Sequence, residues 1–127
     1  MRNAIYWTEI PVKDFTRAKK FYETIFGIEM PLVPMERGKY AIFPVDREAL
    51  GAGGAIVEGK GYEPSQNGAV VYLDRGDEDL SLILSKVETA GGKIFMPKKM
   101  NGATDAMGYI AHILDSEGNK IGLHSNS

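Results

Sequence analysis

Residues Ala4–Gly27 read AIYWTEIPVKDFTRAKKFYETIFG, and the hydrophobic period changes within them. Ala4–Ile10 is rich in β-branched and aromatic residues and ends at Pro11, which reads as a strand. Asp14 is placed to cap a helix, because its carboxylate can accept the free N–H groups of a first turn. Phe15, Ala18, Phe21, Tyr22 and Ile25 then recur at helical spacing and define one stripe for burial. Arg17, Lys19, Lys20 and Glu23 fall on the other side. Gly27 ends the helix, since glycine takes the left-handed conformation without steric cost. Short apolar stretches follow at Glu29–Val33, Lys39–Val45 and Gly54–Glu58, separated by the turn-like Pro34–Gly38 and Arg47–Gly53. The order is strand, helix, three strands.

The second half repeats that order. Ala69–Leu73 (AVVYL) reads as a strand, and Asp77 is the expected cap of a helix whose stripe includes Leu80, Leu84 and Val87. Asp77, Glu78 and Asp79 would occupy its first turn, where the helix dipole favours negative charge. Gly91-Gly92 stops the helix, and strands are expected at Lys93–Met96, Tyr109–Asp115 and Lys120–His124. Ser116–Asn119 (SEGN) is a compact hairpin connection. The aspartate caps and helix-ending glycines recur at nearly the same offset, which indicates an internal duplication joined by Tyr62–Gly68. The expected fold is α+β: one domain, residues 1–127, of two βαβββ modules at about 1–61 and 68–127, their helices outside a curved mixed sheet.

Composition narrows the partners. A chain of 127 residues, 43% hydrophobic and 25% charged, suits one folded domain. Its 15 Lys and Arg against 17 Asp and Glu leave no basic excess for neutralising phosphates, so no nucleic-acid partner is expected. Met1-Arg2-Asn3-Ala4 leads into the first patterned segment without an apolar leader, and no apolar run approaches the roughly 20 residues that cross a bilayer. No membrane partner is expected. With no cysteine there is no disulfide, thiolate zinc site or cysteine nucleophile, and a cytoplasmic location fits.

Several strings together resemble the vicinal oxygen chelate superfamily, which includes glyoxalase I, extradiol dioxygenases and bleomycin-resistance proteins. They are Ile10-Pro11-Val12-Lys13-Asp14, Arg17-Ala18, Phe21-Tyr22 and Phe26-Gly27 in the first half. In the second they are Val71-Tyr72-Leu73, Ala90-Gly91-Gly92-Lys93, Asp115 to Ile121 (DSEGNKI) and Leu123-His124-Ser125. The resemblance implies two βαβββ modules curled into one cup, paired within a chain or across a homodimer; a homodimer is expected here. It also implies that the family's metal enzymes hold a divalent ion with four His or Glu side chains from the first and last strands of each module. Counting from Asp14 places the first at Trp7 and counting from the Glu117-Gly118-Asn119 turn places the last at Gly122; the last strand of module one gives about Ala55, between Gly54 and Ile56, and the first strand of module two about Val70, or Ala69 or Val71 in a shifted register. The set is Trp7, Ala55, Val70 and Gly122. None of these side chains can ligate a metal, so neither the family's metal site nor another cofactor is expected.

Other residues become candidates for binding or chemistry. Trp7 and Glu9 share a strand face, by the alignment the cup-lining one. Trp7 is open between core packing and a stacking wall. A carboxylate directed inward must be paired, hydrated or used, which makes Glu9 a candidate ligand anchor or general base. His124 shares a face with Gly122 and is the second catalytic candidate; a frayed strand end is the alternative. His112 lies among apolar neighbours and reads as a core, interface or ligand-facing residue. Tyr72 shares parity with Val70 and would offer its hydroxyl to the cup; a core tyrosine is the alternative. Glu9 with either histidine would make an acid–base pair if distance allowed. Pro97–Gly108 reads as a long polar loop or a lid offering Met100 and Met107 as adaptable contacts. Lys98-Lys99 reads as solvated surface. Gly51-Ala52-Gly53-Gly54 is followed by a strand, so it is a turn and not a phosphate loop.

Three functional readings follow. The cup binds a small, partly apolar organic molecule without metal, as the drug-sequestering relatives do. Alternatively it is a metal-dependent lyase or isomerase resembling glyoxalase I, with Glu9 and His124 as displaced ligands, or a metal-free enzyme with Glu9 as base.

Overall fold

In the computed structural model, which describes residues 3–127, each half of the chain builds the same four-stranded sheet with one helix on it. Met1 and Arg2, part of the opening read for a leader, lie outside the described residues. The first module runs β1 (Trp7–Pro11), α1 (Phe15–Phe26), β2 (Leu32–Val33), β3 (Lys39–Ile42) and β4 (Gly53–Glu58). The second runs β5 (Val71–Asp74), α2 (Leu80–Val87), β6 (Lys93–Met100), β7 (Tyr109–Leu114) and β8 (Lys120–Ser125). The sheet orders, β1-β4-β3-β2 and β5-β8-β7-β6, are the same topology twice. In each, the first strand pairs in parallel with the last and the remaining pairs are antiparallel.

The helices form where the sequence pattern places them. Asp14 caps α1 by accepting from the Arg17 amide, and Gly27 closes it at φ 61°. Phe15, Ala18, Phe21, Tyr22, Ile25 and Phe26 are buried, each large side chain contributing about 1.5–3 kcal/mol of hydrophobic stabilisation. In the second module the cap is Asp79 and not Asp77: its carboxylate accepts from the Ser81 amide. Asp79 stands one residue before buried Leu80, as Asp14 stands before Phe15, whereas Asp77 lies in the preceding turn, bonded to Asn126. The buried stripe of α2 is Leu80, Ile83 and Val87, with Leu84 only partly covered.

Other boundaries shift. β1 begins at Trp7 and retains Pro11, which costs nothing on an edge strand whose ladder continues through the Val12 amide to the Val57 carbonyl. β5 begins at Val71, leaving Val70 half-buried ahead of the strand. The expected loop from Pro97 is half strand: β6 continues to Met100 through two register irregularities, and a short 3₁₀ turn at Asp105–Met107 precedes β7.

One core joins the modules. Ile10, Ala41 and Ile56 of the first sheet and Ala111, Ile113, Ile121 and Leu123 of the second are buried with both helices. Phe21 reaches so close to the second module that a Cβ on Gly92 would sit 2.7 Å from its ring and 2.5 Å from the Leu114 carbonyl. The strongest polar link is the turn 115–119. Asp115 is buried and accepts the Tyr22 hydroxyl at 2.6 Å, while its other oxygen accepts the Glu117 and Asn119 amides. The Asn119 amide group donates to the Pro11 carbonyl at 2.7 Å. Glu117 accepts the Lys13 and Asp14 amides and both Nε and Nη2 of Arg17. The hairpin connection of module two thus closes the N-terminal end of the helix of module one.

Burial by itself would raise the Glu117 carboxyl, but Arg17, the Asp14 amide and Ser116 outweigh it and bring its pKa to about 2. A pKa lowered by folding gives a contribution complete above the ordinary value near 4.5 and lost as pH falls toward 2. Glu117→Gln should therefore cost about 1–3 kcal/mol at neutral pH, the range for removing a charged acceptor from enclosed donors. Urea melts of the two proteins should differ most at pH 7 and draw together at pH 3; a gap undiminished at pH 3 would exclude this carboxylate's charge as its source.

Candidate functional site

Side chains alternate along each strand, so the face opposite the helices is fixed by the ladders. In module one it carries Trp7 and Glu9 of β1, Gly53 and Ala55 of β4, and Tyr40 and Ile42 of β3. In module two it carries Tyr72 and Asp74 of β5, Gly122 and His124 of β8, and Ile110 and His112 of β7. Trp7, Glu9, Tyr72, His112, Gly122 and His124 therefore lie on the open faces of the sheets, as their strand parity requires.

The ladders show which residues stand level with the four counted positions. Trp7 is level with Gly53, while Ala55 is level with Glu9 and fully buried. Gly122 is level with Tyr72, and Val70 lies outside the ladder. The level pairs are thus Trp7 with Gly53 in one module and Tyr72 with Gly122 in the other. In both, an aromatic ring of the first strand lies against a glycine of the last. A Cβ on Gly53 would meet the Trp7 ring at 2.7 Å, and one on Gly122 would meet the Tyr72 ring at 2.5 Å. This set suits no divalent cation, since it holds no imidazole or carboxylate. Among the described residues no three His, Cys, Asp or Glu side chains gather closely enough to hold an ion.

The polar groups are paired within their own modules. The Trp7 indole N–H donates to the Tyr40 hydroxyl at 2.8 Å, and the Tyr62 hydroxyl donates to Glu9 at 3.0 Å. Glu9 itself is exposed to solvent, and its hydrogen bond, then its charge, raises the pKa of Tyr62. In module two the Tyr72 hydroxyl and His112 Nε2 are 2.6 Å apart. Burial, Lys120 and Lys99 lower the His112 pKa, which favours the neutral ring beside the tyrosine hydroxyl. His124 Nδ1 is 2.7 Å from Asp74 and its Nε2 is 2.9 Å from the Met107 carbonyl. Both partners are acceptors, and the Asp74 bond first, then the Met107 carbonyl, raises the His124 pKa. The expected acid–base pair between Glu9 and a histidine does not form: Glu9 is held by Tyr62, His112 by Tyr72 and His124 by Asp74. Met107 contributes its backbone here, while its side chain is exposed.

Sequence reasoning missed Tyr40, Tyr62 and Asp74. Asp74 was legible in the duplication, because it stands to the Asp79 cap as Glu9 stands to Asp14. Tyr62 lies in the inter-module connection, and nothing in its spacing marks it.

The family model described as Glyoxalase/Bleomycin resistance protein/Dioxygenase superfamily matches residues 4–123, and the chain belongs to that superfamily. Among curated proteins, CFP32 of Mycobacterium bovis and of Mycobacterium tuberculosis, named as a glyoxylase, is 28% identical over 121 residues. That match covers 92% of this chain but 43% of the relative, so the chain spans less than half the length of the curated proteins it matches. A glyoxalase I variant from Zea mays is 25% identical with a TM-score of 0.66, covering 95% of this chain and 45% of that one. The hypothetical protein SA1046 from S. aureus superposes with a TM-score of 0.68 at 17% identity, covering 98% and 95%; this likeness is one of fold.

The two histidines should separate in a proton NMR titration, His124 above the ordinary value near 6.5 and His112 below it. Asp74→Asn should lower the His124 value. Because folding raises that pKa, the stabilising contribution is complete below about 6.5 and lost as pH climbs through the folded value. Finding His112 the more basic of the two would contradict the pairing described.

Proposed function

We propose that the chain binds a small, partly apolar organic molecule on the open faces of its sheets, without the divalent ion of the family's metal enzymes. The observation that carries this reading is the repeated ring against glycine, Trp7 on Gly53 and Tyr72 on Gly122. A glycine under each ring leaves an apolar platform where a ligating side chain would otherwise project. Glu9, Tyr40, Tyr62 and the Tyr72–His112 pair supply the few polar groups that orient a ligand, the usual composition of a small-molecule site. Ala55 and Val70 belong to the floor and rim of this site, and Met107 borders it. Glu9 and His124 are the groups available for proton transfer should the bound molecule react. The glyoxylase and glyoxalase I names of its relatives favour a second reading, a metal-dependent lyase or isomerase using Glu9 and His124 as displaced ligands.

Trp7 is the single tryptophan, so its emission reports on the platform directly. Titration with a neutral apolar ring compound should shift that emission and raise the melting temperature, and Trp7→Ala should weaken the binding, measured by calorimetry, by about tenfold. Elemental analysis of protein prepared without a metal-affinity tag should find no stoichiometric metal. Nickel, zinc, manganese or iron at one per chain, lost in Glu9→Ala, would establish the second reading instead.

The same proposal makes the 127 residues one two-module domain acting as a cytoplasmic homodimer. Exposed Leu32, Val33 and Met35 beside edge strand β2, and Ile94 and Phe95 on edge strand β6, are apolar surface that a second copy would cover. Light scattering should give twice the chain mass at micromolar concentration; a monomer there would remove this part of the proposal.

A further inference from the structure

The open face of module two collects positive charge in a chain whose formal charge is −2. Lys120 lies on β8 two residues from Gly122, the partner of His112, and therefore on the face of the Tyr72–His112 pair. Its ammonium is 5.5 Å from the centre of the Phe95 ring, which holds it over the sheet. Lys98 and Lys99 part company: Lys98 bonds to Asp79 at the start of α2 and packs on Tyr109. Lys99, the next residue and the partner of Ile110, consequently projects on the open side. Lys93, paired with Leu114, joins them there. Among the described residues none of these three lysines has a carboxylate within 4.0 Å, and the one acid of this face, Asp74, is bonded to His124. Module one answers with the opposite character, a single exposed carboxylate, Glu9, among Trp7, Tyr40 and Tyr62.

We infer that the ligand of this site is an organic anion, its ionised acid group held by Lys99 and Lys120 beside the Tyr72–His112 pair and its apolar part on the Tyr72–Gly122 platform of the same sheet. The inference rests on the small-molecule reading above and adds the chemical class. Long, unpaired lysines keep their water and their rotamer freedom until an anion recruits them, so the face is cationic without being committed to any group of the protein. Along β7 the level of His112 falls between those of Lys120 and Lys99, and His112 bonds to the platform residue Tyr72, so the acid group meets a hydrogen-bonding pair where the apolar surface ends. A cationic or neutral ligand finds no such complement among the described residues of this face, where the one acid, Asp74, is bonded to His124.

The test compares three ligands of one shape by calorimetry: naphthalene-2-carboxylate, its neutral carboxamide and 2-naphthylmethylammonium. The carboxylate should bind about tenfold more tightly than the amide, the ammonium most weakly, and added salt should erode the difference. In the double variant Lys99→Met, Lys120→Met, checked for an unchanged melting profile, the preference should vanish while amide affinity stays within about twofold. Equal binding of carboxylate and amide by the wild type, tightest binding of the ammonium, or a preference that survives the double substitution would overturn the inference while the amide still attests the site. A double variant that dissociates a dimer but leaves the ligand ranking unchanged would also overturn it, assigning the lysines to an interface. Failure of all three ligands to bind would remove the site itself, and the inference with it.

Discussion

The turn from Asp115 to Asn119 occupies the seam between the two modules, and the arrangement of everything else follows from it. Its acceptors take the Tyr22 hydroxyl, the amides ahead of α1 and the Arg17 guanidinium, while Asn119 reaches the Pro11 carbonyl. These groups would otherwise be polar atoms stranded beside an apolar core, where an unmet hydrogen bond costs more than a met one contributes. The five residues thus serve two ends. They reverse the chain between β7 and β8, and they tie the end of β1 to the start of β8. Burial holds the Tyr22 hydroxyl protonated, with Asp115 adding to the effect, so the inner bond has a fixed donor.

Both helices pack in one core against the inner faces of both sheets, and the other face of each sheet is left open. Once Ile10, Ile56, Ile113 and Leu123 are committed to the shared core, strand alternation sends Trp7, Glu9, Tyr72 and His124 the other way. The duplication then repeats its geometry without repeating its chemistry. Trp7 and Tyr72 both lie on glycines, but one residue pair further the first module has Glu9 beside Ala55 and the second has Asp74 beside His124. The open face of module one is therefore aromatic with a lone carboxylate, and that of module two is rich in lysine and imidazole.

Much of this was written in local sequence. The stripe from Phe15 to Ile25, the Asp14 cap and Gly27 were legible because each depends on neighbours within one turn of helix. The topology followed from the repeat, and the faces of Trp7, Glu9, Gly122 and His124 followed from parity alone. What the sequence misjudged depended on register between distant strands. Ala55 and Val70 were read as approximate strand positions, and a strand's level beside its partner is set by hydrogen bonds that no local count contains; the ladders put Trp7 level with Gly53 and Tyr72 level with Gly122. Asp79 displaced Asp77 because the cap is chosen by which residue precedes the first buried leucine, a matter of docking.

By itself, then, the sequence determined the elements, their order, their faces and the absence of imidazole or carboxylate from the positions first counted. The tertiary structure alone decided the partnerships: Tyr62 with Glu9, Tyr72 with His112, Asp74 with His124, and the Glu117 turn with α1. The physical reason is range. Helical stripes and strand alternation are periodicities of a few residues, whereas a hydrogen bond joins atoms within about 3 Å regardless of separation along the chain. The bonds that shape this surface and seam span 40, 50, 53 and up to 104 residues, and only the folded chain brings their ends together.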